Sequence, residues 1–260
     1  MNTPRRVSRK PTKQPSKQSL NQFHIQLSII PISLADEISS GDSIADKLLR
    51  SLQEHKVTFA AGDILVVKHK IVSKAEGRVV PIDPADPQAR RRLVLSESVR
   101  VLRERDELII SETRHGFVCA NAGVDLSNVG HGQAALLPVD ADRSARHIRD
   151  ALRARSGLEV AVIISDTFGR AWRHGLTDVA IGCAGIAAVV DLRGTTDTSG
   201  RELAATEVCV VDEIAAAAEL AKGKATGYPV VIVRGVDPNW FRESSVRAEV
   251  VRPYAGDLFR

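Results

Sequence analysis

The sequence predicts a mixed α/β fold. Short β-branched and alternating apolar runs mark strands, and apolar residues recurring every three or four positions mark helices. The two kinds of segment interleave along the chain rather than segregating, which favours a mixed sheet with helices packed on it. With 260 residues, 43% hydrophobic and 26% charged, the chain has the balance of a globular protein that buries a sizeable core unaided.

Residues 1–22 hold Arg5, Arg6, Arg9, Lys10, Lys13 and Lys17, no acidic residue and almost nothing to bury. They are expected to form a disordered basic tail, with the folded domain over 23–260. Phe23 to Ile32 alternates and reads as a strand. Asp42 to His55 reads as a helix: Ile44, Leu48 and Leu52 recur every four residues, with Asp42 or Ser43 as N-cap. Ile64 to Val67 and Ile71 to Val72 read as one β-branched strand, entered through the Gly62-Asp63 turn. Gln88 to Arg105 reads as a charged helix with Leu95, Val99 and Leu102 inward. Leu108 to Ile110 and Phe117 to Cys119 read as short strands.

Ser144 to Arg155 repeats the helical stripe with Ala145, Ile148 and Leu152, and Gly157 stands where the helix should end. Val160 to Ile164 reads as a buried strand, Val211 to Ala221 as an Ala-rich helix and Pro229 to Val233 as a last buried strand. Ile181 to Val190 is small and apolar. The polar stretches 111–132, 165–178 and 191–206 are too long for simple connectors and are expected to be functional loops.

Composition also excludes classes of function. The longest apolar runs fall far short of the ~20 residues that span a bilayer, so no membrane association is expected. The start has charge but no apolar core for a secretory signal. Cys119, Cys183 and Cys209 are few, far apart and never in a CxxC pair, which suits core thiols and a cytoplasmic protein. All six charges of the tail are positive, so the net charge of +4 becomes −2 for residues 23–260. A nucleic-acid-binding module would therefore rest on the tail alone, with no RRM, KH or helix-turn-helix pattern behind it.

Three clusters have the residues for chemistry. Asp166 and Thr167 follow a buried strand, where side chains enter a ligand crevice; they offer Mg²⁺ or Mn²⁺ hard oxygens, or Asp166 simply caps a turn. Asn121 to Asn128 is a polar turn that presents Asp125 as a second metal oxygen, or satisfies itself as an Asx-turn. Lys68-His69-Lys70, with Lys74 and Glu76, suits a polyphosphate, or is an edge strand protected by lysines. Lys222-Gly223-Lys224 adds two cations at a glycine turn, and His115 reads as a half-exposed loop histidine. Together, two carboxylates, a cationic cradle and a turn carrying Arg170 and Arg173 are the equipment of phosphoryl transfer.

At these same segments the sequence resembles the coenzyme F420 γ-glutamyl ligases. The likeness is carried by Asp63-Ile64-Leu65-Val66-Val67, by Ile71-Val72-Ser73-Lys74-Ala75-Glu76-Gly77-Arg78, and by Glu112 to Asp125 with Ser127-Asn128-Val129. It continues through Ile163-Ile164-Ser165-Asp166-Thr167-Phe168-Gly169-Arg170, Gly175 to Gly182, Asp212 to Ala216 and Val233-Arg234-Gly235. The resemblance implies a ligase that attaches L-glutamate to the deazaflavin precursor F420-0 with GTP as co-substrate. It also implies an unusual mixed-sheet fold, two subunits interlocked as a homodimer, and two divalent cations, Mg²⁺ or Mn²⁺, with K⁺ as a further candidate.

By the same resemblance Asp125 and Asp166 would ligate one divalent cation and Thr167 the second. Lys74, Asn128, His69 and Lys70 would contact the nucleotide. Lys222 and Gly223 fall in the phosphate-side loop that supplies the second metal's remaining protein ligand. Three departures stand out: Leu34-Ala35-Asp36-Glu37 replaces a usual Gly-Leu-Pro-Glu, Lys222 replaces a methionine, and Asp197-Thr198-Ser199-Gly200 replaces Asp-Leu-Tyr-Gly. The nitroreductase-like domain fused in some actinobacterial relatives is not expected. A diverged ligase coupling another carboxylate to another amine would carry the same metal site.

Overall fold

A computed structural model describes residues 26–223 and 226–258. The expected tail, residues 23–25 of the expected first strand and Lys224 lie outside them. The elements run in the order β1 (Ser28–Ile32), α1 (Ile44–Glu54), β2 (Ile64–Lys68), α2 (His69–Ala75), β3 (Val79–Pro81), α3 (Ala89–Glu97), β4 (Ser98–Arg105), β5 (Leu108–Thr113), β6 (Val118–Ala120) and β7 (Gln133–Ala135). They continue with α4 (Ala141–Ser156), β8 (Ala161–Arg170), β9 (Arg173–Ala184), β10 (Val190–Asp191), β11 (Glu207–Val208), α5 (Val210–Lys222), β12 (Val230–Arg234) and the single turn α6 (Val246–Glu249).

Five strands form the central sheet in the order β1-β12-β2-β8-β9. Only β2 and β8 pair in parallel; the other neighbours are antiparallel, so the sheet is mixed, as expected. Because successive side chains leave opposite faces of a strand, β2 sends Leu65 and Val67 to one face and Ile64 and Val66 to the other. β8 and β12 divide in the same way, with Val162, Ile164, Val230 and Ile232 on the first face. Leu48, Leu52, Ile148 and Leu152 of α1 and α4 cover that face, and Val211, Ile214, Ala215 and Ala218 of α5 cover the second. Each fully buried aliphatic side chain contributes roughly 1.5–3 kcal/mol.

The caps fall close to expectation. Ser43 accepts from the Asp46 N–H at 3.2 Å at the start of α1, Asp140 caps α4, and Gly157 ends it in the left-handed conformation at φ 71°. Buried Asp142 ties α4 to the far end of the hairpin β8–β9: it accepts from the backbone N–H groups of Cys183, Val246 and Arg247 and from the Ser245 hydroxyl. No helix among the described residues is long and apolar enough to cross a membrane.

Three expectations are corrected. Ile71 and Val72 belong to a helix, because His69, Val72 and Ser73 bury at i, i+3, i+4 spacing as soon as β2 ends. The expected helix 88–105 stops at Glu97, and Ser98–Arg105 is a strand paired with β5. Val99, expected to face inward, is 69% exposed. The expected loop 165–178 is a hairpin: β8 continues to Arg170 and pairs with β9 through Arg170 and Arg173. Its backbone groups are satisfied by that ladder, so polar side chains do not end the strand.

Candidate active site

α2 begins at the residue after β2 ends, so the cationic segment leaves the sheet as a helix. Lys70 and Lys74, four residues apart, then share one face. Both line a cavity of about 750 Å³ with Leu34, Asp36, Glu37 and Asn128. A second cavity of about 260 Å³ is lined by Lys68, His69, Lys70, Asp125, Asn128, Asp166, Thr167 and Asp178. Lys68, Lys70 and Asn128 belong to both walls, so the two cavities meet along a cationic ridge.

The carboxylates reach the smaller cavity by different routes. Asp166 lies where β8 passes from fully buried to half-buried residues, and its Oδ1 accepts from the Thr167 N–H at 2.7 Å. Asp125 sits beyond a turn in which Asn121, Ala122 and Gly123 all take positive φ. Such a run is strained for alanine, and Asn121 supports it by accepting from the Ile109 N–H at 3.0 Å.

Asp125 does form the Asx-turn, accepting from the Ser127 N–H at 2.7 Å through Oδ1. Its Oδ2 lies 2.7 Å from Lys70 Nζ, and Lys70 also donates to Ser127 Oγ at 2.6 Å. Burial works to raise the Asp125 pKa, but the Lys70 and Ser127 hydrogen bonds outweigh it and hold the carboxyl below its usual range.

His69 is 2% exposed. Its Nε2 is 3.2 Å from Asp166 Oδ1 but out of hydrogen-bonding alignment, and neither ring nitrogen has a hydrogen-bond partner among the described residues. Below the cavity, the Lys222 side chain is fully buried against Asp178 and lines neither cavity. Gly223, at φ 53°, has its carbonyl taken by Lys68 Nζ at 2.6 Å. The structure thus brings Asp125, Asp166, Thr167, His69, Lys70 and Asn128 to one cavity and Lys74 to the adjoining one, with Lys222 and Gly223 behind the wall.

The donor set fits a divalent cation of a particular kind. Among the described residues no three His, Cys, Asp or Glu side chains are gathered closely enough to hold a metal alone. Two carboxylates and a hydroxyl on a cavity beside lysines instead match a cation that takes its other oxygens from substrate phosphates, the usual habit of Mg²⁺. The thiols are no rivals: burial pushes Cys119, Cys183 and Cys209 up to about 12, so they remain neutral.

Sequence reasoning passed over Asp178 and gave Ser165 no role. Their signal was present, because Ser165-Asp166-Thr167 and Thr177-Asp178-Val179 alternate as two strands would. It was masked by a tight turn, Ala171-Trp172, that has none of the usual Asn or Gly; Trp172 itself takes φ 58°.

A family profile described as F420-0:Gamma-glutamyl ligase matches residues 34–235, the span that holds every residue of both cavities. The chain belongs to the F420-0:gamma-glutamyl ligase family. It is 41% identical to the coenzyme F420:L-glutamate ligase of Methanothermobacter thermautotrophicus, over 90% of this chain and 99% of that protein. Proteins of the same name from Methanopyrus kandleri and Archaeoglobus fulgidus are 39% and 37% identical, covering 90% and 91% of this chain and 98% and 97% of theirs.

Proposed function

We propose that this member of the ligase family joins L-glutamate to F420-0, with GTP as co-substrate and an acyl phosphate as the intermediate. The observation that carries the reading is the junction of the two cavities. The larger has the size of a nucleotide site, Lys74 and Lys70 lie on its wall, and the carboxylates and Thr167 lie just beyond the shared ridge.

A carboxylate is a poor electrophile. Transfer of the γ-phosphoryl group would form an O–P bond to the F420-0 carboxylate and break the β–γ phosphoanhydride bond, releasing GDP. The amino group of L-glutamate, in its neutral form, would then attack the acyl carbon. A C–N bond forms, the C–O bond to phosphate breaks, and the amine loses its extra proton to solvent. Lys68, Lys70 and Lys74 would neutralise phosphate oxygens as point charges, and Asn128 would orient the nucleotide. Asp125, Asp166 and Thr167 would hold two divalent cations, Mg²⁺ or Mn²⁺. When bound, these offset the charge on the β- and γ-phosphates.

An interlocked homodimer belongs to the same reading and is tested by light scattering coupled to gel filtration. For the activity, purified protein is incubated with F420-0, L-glutamate, Mn²⁺ and either GTP or ATP, and the products are weighed by mass spectrometry. A glutamyl adduct with GTP, and equal yields of GDP and phosphate, is expected. No adduct with either nucleotide and any divalent metal would sink the reading; an adduct with ATP alone would correct the nucleotide.

A further inference from the structure

Two lysines, Lys68 and Lys70, are common to the walls of both cavities. Lys68 donates to the Gly223 carbonyl at 2.6 Å. Lys70 bends toward the smaller cavity instead: its Nζ lies 2.7 Å from Asp125 Oδ2 and donates to Ser127 Oγ at 2.6 Å. The other carboxylate oxygen, Asp125 Oδ1, accepts from the Ser127 N–H at 2.7 Å. Each oxygen of Asp125 thus already faces a donor, and the donor at Oδ2 carries a full positive charge.

A hard divalent cation needs a carboxylate oxygen turned toward it. To reach Oδ2 it has to displace the Lys70 ammonium, and until that group has moved away the two cations repel at close range. The displacement is within the means of the side chain. The ammonium is a point charge on a flexible four-carbon stem, and its contacts here are made to two side chains of one turn, by a partly exposed pair. Such a pair contributes little by itself, so a second anion can compete for the lysine. Lys70 also lines the larger cavity, where Lys74 shares its helix face. A polyphosphate lodged there would offer that anion within reach of the same stem.

We propose that Lys70 is a placeholder cation: it occupies Asp125 in the empty protein and leaves it for the phosphates of an arriving nucleotide, so that nucleotide and divalent cation bind cooperatively. What fills the two cavities rests on the ligase reading above. The new element is the direction of the coupling, since metal alone is held off and phosphates open the site. By linkage, the metal strengthens nucleotide binding by the same factor. A lysine that only contacted phosphate would predict no change in metal binding when it is removed from the nucleotide-free protein.

The test measures Mn²⁺ binding by electron paramagnetic resonance, with and without GDP, for the full chain as wild type, Lys70→Met and Lys74→Met, with folding followed by circular dichroism. Without nucleotide, Lys70→Met is expected to bind Mn²⁺ at least about five-fold more tightly than wild type. Lys74→Met removes the same charge one helical turn away and is expected to stay within about two-fold of wild type at about 0.15 M ionic strength, where a charge out of contact is screened. Saturating GDP should tighten Mn²⁺ binding at least about ten-fold in wild type and by several-fold less in Lys70→Met.

Nucleotide-free Lys70→Met that binds Mn²⁺ no more tightly than wild type overturns the proposal. Equal tightening in Lys74→Met also overturns it, because the effect would then come from the general field and not from contact with Asp125. So does a GDP effect of the same size in Lys70→Met as in wild type. If Lys70→Met does not fold, Lys70→Gln takes its place, and failure of both to fold makes Lys70 structural and overturns the proposal too. The nucleotide-free measurement involves neither GTP nor turnover. A wild-type enzyme that forms no glutamyl adduct would therefore remove the ligase reading while the placeholder role is still decided.

Discussion

Lys70 Nζ lies 2.7 Å from Asp125 Oδ2, so the carboxylate proposed to hold a divalent cation already has a cation supplied by the chain. The pair is half-exposed and solvent-screened, and it contributes little to stability by itself. Its effect is electrostatic: with the Ser127 hydrogen bonds it holds the Asp125 carboxyl below its usual range against the effect of burial.

Lys70→Met should therefore raise the Asp125 carboxyl pKa, read by ¹³C NMR on metal-free protein. The folded-state pKa of Asp125 is depressed. Its stabilising contribution is thus present above the ordinary carboxylate range and lost as pH falls through the lowered value. In Lys70→Met that contribution should be smaller, and its loss complete at a higher pH. An unmoved titration would show that Lys70 does not set the charge of Asp125.

Asp166→Asn should fold normally and lose turnover by orders of magnitude. Asn keeps an oxygen to accept the Thr167 N–H but removes the charge a hard cation needs. The measurement is turnover beside metal-free melting temperature. Near wild-type turnover at saturating Mn²⁺ would eliminate the ligand role. Normal turnover with a lowered melting temperature would make Asp166 structural.

Asp212, near the start of α5, is half-buried and accepts from the Ala180 N–H at 2.9 Å. Burial is the largest influence on it and raises its pKa. A raised acid pKa means that ionisation weakens the folded state, so its cost appears as pH rises through the usual carboxylate range. Asp212→Asn keeps an acceptor without the charge and should raise the melting temperature at pH 7 relative to wild type, with the gap closing near pH 4. Asp212→Ala, which strands the Ala180 N–H, should lower it at both values by about 1–3 kcal/mol of stability.

Gly182 is the one point on β9 where α4 crosses against bare backbone. A Cβ there would run into the main chain of Ala141 and Asp142, which cannot yield as a flexible side chain would. Gly182→Ala is expected to cost about 3 kcal/mol or more in urea unfolding. A cost below about 1 kcal/mol would mean that α4 shifts freely on the sheet.

Within the central sheet β2, β12 and the buried half of β8 were legible because they are short apolar runs that bury both faces, a pattern that needs no long-range knowledge. The helices α1 and α4 were legible from their stripes and caps. What was not legible depended on pairing partners distant in sequence. Ser98–Arg105 reads as helix by charge and spacing and becomes strand because β5 lies beside it. The hairpin was missed because Ala171-Trp172 carries no turn signature, and with it went Asp178. For the site, residues alone pointed to Asp125, Asp166 and the lysines; the resemblance supplied their roles. Neither source indicated that Lys222 would lie buried behind the wall rather than on it.

β2 and β8 lie side by side with Lys68 opposite Ser165, and on that single parallel pairing both halves of the cavity depend. The residues it unites are far apart along the chain, and closing so long a loop is among the slower events of folding. A partly folded chain therefore has hairpins and helices but no place for a nucleotide. Ligand binding should appear only in the last kinetic phase of refolding, and a bound ligand should slow unfolding of the whole sheet rather than of one edge.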